Sequence, residues 1–290
     1  MLRIRLDLAY DGTAFAGWAI QPGLRTVQGL LEGALAVVLR APVRVTVAGR
    51  TDSGVHAQGQ VAHVDVEDDA WASLAGRAPR TPGNTLVARL GGLLPRDIVV
   101  RRAEPASPGF DARFSALRRR YAYRIADDPA LRDPLRRDQI LWHPRALDVE
   151  AMHSAARPLV GLHDFAAFSK PRPGATTIRT LEIFDWSRPV DGPDAGLVVA
   201  VVQADAFCHH MVRALVGACI AVGEHRRSDD FPEVLLAAGL RDPGAGVSPA
   251  RGLTLEEVSY PDDAELALRA QQTRNRRGRG WSGVELGGAS

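Results

Sequence analysis

The chain has 290 residues, 46% of them hydrophobic, and 36 basic against 34 acidic side chains leave a formal net charge of +2; this excludes a broadly polycationic nucleic-acid binder and suffices for one large core or two closely packed halves. No run approaches the roughly 18 uncharged apolar residues of a membrane span, and MLRIRLDLAYDG alternates instead of forming a signal core, so a soluble, cytoplasmic protein with no membrane contact is expected. Cys208 and Cys219 sit in apolar surroundings without CxxC spacing, which argues against a disulfide framework or a zinc site and for inert thiols.

From Leu2 to Ala9 the alternation predicts a strand, ended by the turn residues Tyr10-Asp11-Gly12-Thr13. Apolar residues at helical spacing from Thr26, a plausible N-cap, to Leu39 predict a helix that Pro42 stops. VRVTVAG reads as a strand delivering the loop GRTDSGVHA, and QVAHVDV as the strand after it. A helix over Leu86 to Leu90 is followed by strands in DIVVRRAEP and RRRYAYRIADD. Pro129 to Pro144, rich in proline and arginine, reads as a crossing into a second half. There Val149 to Arg157 predicts a helix stopped by Pro158, and Thr180 to Trp186 a strand. Asp191-Gly192-Pro193-Asp194 marks a reversal into the strand LVVAVVQADAF, and HHMVRALVGACIAVG predicts a helix. The expected class is α/β of the α+β kind, two similar halves over residues 1–128 and 129–270 with much antiparallel pairing. A basic tail over 271–290, without apolar periodicity, is expected to be disordered.

The segment most able to carry chemistry is Ala48 to Ala57, where Gly49 and Gly54 flank Arg50, Thr51, Asp52 and Ser53. Glycines permit a tight backbone that exposes the side chains between them. A carboxylate two residues from a guanidinium can serve as nucleophile or base without a metal, provided positive charge keeps it ionised. An Asx-turn closing a hairpin explains the same residues. Lys170 is the only lysine, so nearly all positive charge is guanidinium, suited to phosphates and bases; genomic base composition produces the same bias. His56, His63, His209 and His210 lack the HExxH context of metal helices and read as structural or RNA-contacting, with no metal expected.

GRTDSGVHA resembles the catalytic loop of the tRNA pseudouridine synthase A family, and further motifs follow in that family's order: YDGTAFAGW, TVQGLLEGAL, LLPRDI, FDARFSALRRRYAYRI, HDFAAFS, TIRT, HHMVRALVG and GLTLEEVSY. The resemblance implies the pseudouridine synthase fold, with a largely antiparallel mixed sheet and a central cleft, and a reaction that needs no cofactor. It implies Asp52 as the catalytic aspartate and Tyr121 as the ring that stacks on a flipped uracil. It further implies Arg50 as the side chain that fills the space left by the base, Arg213 as the aspartate's basic partner, and Leu253 as a wall of the base pocket. The implied substrate is tRNA at positions 38 to 40 of the anticodon stem-loop, bound by a homodimer, with Arg113, Arg118, Arg119, Arg120 and Arg124 lining part of the RNA cleft.

Ala19, Gly91, Asp111 and the Cys208-His209 pair depart from the family's usual residues, and none of them replaces the aspartate or the tyrosine. Two other classes stay open from the residues alone. One is a non-catalytic RNA-binding protein, and the other a hydrolase pairing Asp52 with His56, which lacks a second acid and a phosphate loop.

Overall fold

The computed structural model describes residues 1–75, 80–171, 176–240 and 246–278, the side chains of 276–278 excepted. In chain order, strand β1 (Leu2–Tyr10) buries Ile4, Leu6, Leu8 and Tyr10 at every second position, the period of a strand with one face on a core. Helix α1 (Val27–Leu39) starts where Thr26 Oγ1 accepts from Gly29 N and ends in left-handed Arg40. Strands β2 (Val45–Val47) and β3 (His56–Val66) bracket the loop of Asp52.

Helices α2 (Asp68–Ser73) and α3 (Pro82–Leu93) precede strands β4 (Ile98–Pro105) and β5 (Arg118–Ala126). The crossing segment contributes the short β6 (Leu141–Trp142), followed by α4 (Val149–Ala156), β7 (Gly161–Asp164), β8 (Ile178–Ser187) and β9 (Val198–Ala204). Helices α5 (Met211–Gly223) and α6 (Phe231–Ala238), strand β10 (Leu253–Ser259) and helix α7 (Leu266–Gly278) complete the described chain.

Among the described residues the strands form one ten-stranded sheet with the path β4-β1-β3-β10-β5-β9-β8-β7; β2 is added beside β3, and β6 beside β5. Pairing is antiparallel except for β10 on β3 and β6 on β5, so the mixed, largely antiparallel α/β architecture is the one expected. The sheet crosses residue 128 without a break: β5, before that point, pairs with β9, after it. Strand β10 returns from the end of the chain to lie between β3 and β5. The core follows this path, from Ile4 and Leu31 through Tyr123 to Phe184 and Leu215.

Two expectations are corrected and one is extended. The helix expected from His209 begins at Met211; His210 has φ 66°, a left-handed conformation that a helix interior does not accept. The helix expected over Leu86 to Leu90 spans Pro82–Leu93, because Thr81 caps Asn84 N and a proline at the first helical position supplies a preset φ. The tail expected to be disordered from Gln271 is helical to Gly278: Leu266 and Ala270 are buried, and Arg274 binds Asp111 at 2.8 Å while lying over the Phe114 ring. Residues 279–290 lie outside the described residues. Asp111 thus acquires a local partner; its other oxygen accepts from Arg113 N and Phe114 N.

Candidate active site

The loop between β2 and β3 is fixed by its backbone. Thr51 O accepts from Trp18 N, Phe15 O accepts from Gly54 N and from Ser53 Oγ, and Asp52 O accepts from Val55 N. Beneath it, Tyr10 Oη and Thr51 Oγ1 lie 2.7 Å apart, and Gln60 Nε2 donates to both Tyr10 Oη and Gly49 O. Burial pushes the Tyr10 phenol up to about 12, so this anchor stays neutral. The YDGT turn meets the same loop: a Cβ on Gly12 would lie 2.0 Å from Val55 O, which only glycine permits. Gly54 turns the chain at φ 77°, leaving the Asp52 side chain about a quarter exposed.

Two imidazoles face that carboxylate. His209 Nε2 lies 3.3 Å from Asp52 Oδ1, and His210 Nε2 lies 3.8 Å from Asp52 Oδ2. They belong to the link between β9 and α5, where Lys170 N donates to His209 O and left-handed His210 turns both consecutive rings toward one carboxylate. This convergence was not visible in the sequence, where neighbouring side chains are expected to diverge. Arg213, one turn into α5, directs Nε to Ser248 O at 2.7 Å, and Ser248 N returns a bond to Arg213 O. Among the described residues the ion-pair partners of Asp52 are therefore the two histidines, and Arg213 secures the segment before β10.

Tyr121 is buried in β5, its cross-strand neighbours being Leu255 of β10 and Val202 of β9, both inaccessible. Phe207 stands edge-on to its ring at 5.2 Å. Burial first, then the neighbouring Tyr10 and the Asp52 carboxylate, push the Tyr121 phenol far up, so the ring stays uncharged. Leu253 is buried opposite Tyr123, not Tyr121, and lies on the same side of β10 as Leu255. Arg50 is exposed, and among the described residues no carboxylate pairs with it.

Alternation along β5 divides the arginines expected around Tyr121. Arg119 shares the Tyr121 side and is buried, donating to Ala48 O at 2.8 Å, Asp205 O at 2.7 Å and Arg113 O at 3.0 Å. It thereby joins the strand that feeds the Asp52 loop to the strand that feeds the histidines, a role the sequence did not reveal. Arg118, Arg120 and Arg124 point the other way. They pair with Glu182 at 3.3 Å, Glu257 at 2.6 Å, and Asp194 and Glu256 at 2.8 and 2.7 Å. The single arginine-lined cleft around Tyr121 is accordingly corrected. His56 is a tie as well, with Nδ1 3.1 Å from Gly12 N and Nε2 2.7 Å from Asp138 O, which leaves the Asp52–His56 pairing of a hydrolase without support.

Residues 155–261 match the family model described as tRNA pseudouridine synthase, a span that holds the histidine pair, Arg213 and Leu253. Three similar proteins, each named tRNA pseudouridine synthase A, extend the match to nearly the whole length. That of Streptomyces griseus is 55% identical over 278 residues, 95% of this chain and 94% of its own. That of Frankia casuarinae is 58% identical over 275 residues, 94% and 95% of the two chains. That of Leifsonia xyli is 54% identical over 284 residues, 95% and 97% of the two. With 54–58% identity over 94–95% of its length to these relatives, the chain belongs to the tRNA pseudouridine synthase A family.

Proposed function

We propose that the protein isomerises uridine to pseudouridine in tRNA, with Asp52 as the reacting carboxylate and positions 38 to 40 of the anticodon stem-loop as its targets. The observation that carries this reading is the placement of Asp52: partly exposed and on a loop whose backbone is pinned on both sides of it. The reaction breaks the N1–C1′ bond, turns the uracil and joins C5 to C1′; the C5 proton is lost and N1 gains one, so no redox partner or leaving group is required. Asp52 serves by attack on C1′, by attack on C6, or by removing the 2′ proton, and each route needs the ionised carboxylate.

The base must leave the RNA stack to reach Asp52, at a cost of a few kcal/mol. Tyr121 offers an uncharged aromatic face for the extruded uracil, and exposed Arg50 the planar cation to fill the gap it leaves. Arg213, bonded to Ser248 O, and buried Leu253 complete the substrate-binding residues of this reading. A homodimer would present two such sites to one L-shaped RNA.

The test is incubation of wild-type protein and Asp52→Ala with an unmodified tRNA transcript in chelator, with pseudouridine mapped by chemical labelling and primer extension. Product at positions 38 to 40, falling more than about 10³-fold in the variant, is expected. Product elsewhere would overturn the assigned positions, and tRNA binding without product would leave an RNA-binding protein.

A further inference from the structure

Asp52, His209 and His210 bring three metal-ligand atoms within 4.8 Å of one another. Zinc bonds of about 2.0–2.2 Å to imidazole nitrogen and carboxylate oxygen place the ligand atoms of a tetrahedral site roughly 3.3–3.5 Å apart. His209 Nε2 lies 3.3 Å from Asp52 Oδ1, which already fits, while His210 Nε2 lies 3.8 Å from the other oxygen, Oδ2, so side-chain rotation brings His210 to the oxygen that His209 faces. The backbone supplies the second observation. Adjacent residues seldom aim at one point, yet left-handed His210 sets the two rings 4.1 Å apart and turns both toward Asp52; a non-glycine residue in that conformation is held there by its surroundings.

We infer that these three side chains form a binding site for a zinc-class divalent cation, and that the bound cation inhibits the enzyme by occupying the Asp52 carboxylate. Two imidazoles and one carboxylate, with a fourth position toward solvent, suit Zn²⁺, Co²⁺ or Ni²⁺. Mg²⁺, which accompanies folded tRNA, prefers oxygen ligands and retains its waters, so it does not compete for this site. The inhibitory part rests on Asp52 being the reacting carboxylate; the binding part does not.

Chelator-dialysed wild type, His209→Gln and His210→Gln are titrated with Zn²⁺ by calorimetry and with Co²⁺ by visible absorption, after circular dichroism confirms their folds. The expected result is one ion per chain with d–d bands of tetrahedral intensity in the wild type, and binding at least about tenfold weaker in each variant, the scale of losing even a supporting contact to a metal ligand. In the wild type alone, Zn²⁺ should slow acylation of His209 and His210 by diethylpyrocarbonate, mapped by mass spectrometry, while exposed His225 reacts unchanged. Equal binding by all three proteins, octahedral Co²⁺, or unprotected histidines would overturn the site. In Mg²⁺ buffer, pseudouridine formation should fall at the Zn²⁺ concentration that fills the calorimetric site and return with chelator. A filled site without inhibition would overturn the inhibitory part, whereas no product from metal-free wild type would overturn the assigned reaction and leave the site standing.

Discussion

Burial, with the neighbouring Arg3 guanidinium second, pushes the His63 imidazole down from 6.5 to about 4, while Ala112 N donates to its Nδ1 at 3.0 Å. The folded protein therefore holds His63 neutral in a range where the unfolded chain protonates it. Its contribution is complete above about pH 6.5 and is lost as pH falls toward 4, with a slope approaching about 1.4 kcal/mol per pH unit. The nearby carboxylates Asp65 and Asp111 are held below 3.8, Asp65 chiefly by its bond from Arg3, and Asp111, against its burial, by the bond from Phe114 N, the neighbouring His63, and the bonds from Arg113 N and Arg274, so their losses come at lower pH. Urea denaturation between pH 7.5 and 4 should show stability declining with acidity, and His63→Gln should flatten that decline; an unchanged slope would assign it to other groups. At this scale the two glycines and the guanidinium marked the loop of Asp52 but fit an Asx-turn equally well, and its catalytic reading came from the family resemblance. The sequence hid the histidine pair, whose convergence depends on one backbone angle, and it suggested a common cleft for β5 arginines that strand alternation sends to opposite faces.

Arg119 ties elements together, since the carbonyls it serves close the β2 end, the β9 end and the turn before β5. Burial lowers its pKa from 12.5, but the planar fork stays cationic and reaches all three oxygens at once. A lysine keeps the charge and loses that reach. Arg119→Lys should cost about 1–3 kcal/mol for each buried carbonyl left unpaired. Single-turnover rate at saturating tRNA should drop about 10²-fold, as expected of a displacement near 1 Å in a reacting group. Full stability together with full rate in the variant would remove Arg119 from this positioning role. Elements with strong periodicity or caps, such as β1, α1 and β9, could be read from the sequence with shifts of one to three residues. The short β6 and β7 carry too few residues to show a period, and α6 was missed although Pro232 near its start and left-handed Gly239 at its end mark both limits.

Across the molecule the formal charge is only +2, and Arg118, Arg120 and Arg124 are neutralised by carboxylates on the face away from Tyr121. Affinity for tRNA then has to come from local cations such as Arg50 and, in the proposed homodimer, from a surface that two subunits would share. Sedimentation at micromolar concentration should show a dimer; a monomer that still modifies tRNA at the full rate would make one chain sufficient. The mixed sheet was legible from alternating segments joined by turns, but its strand order was not, because nothing in GLTLEEVSY signals a central position. That order has a consequence for biosynthesis. With β10 seated between β3 and β5, a nascent chain on the ribosome carries an open seam in the middle of its sheet until residue 259 has emerged. The pieces around Asp52 and Tyr121 wait unsealed until β10 has been made, long after the residues of both have left the ribosome.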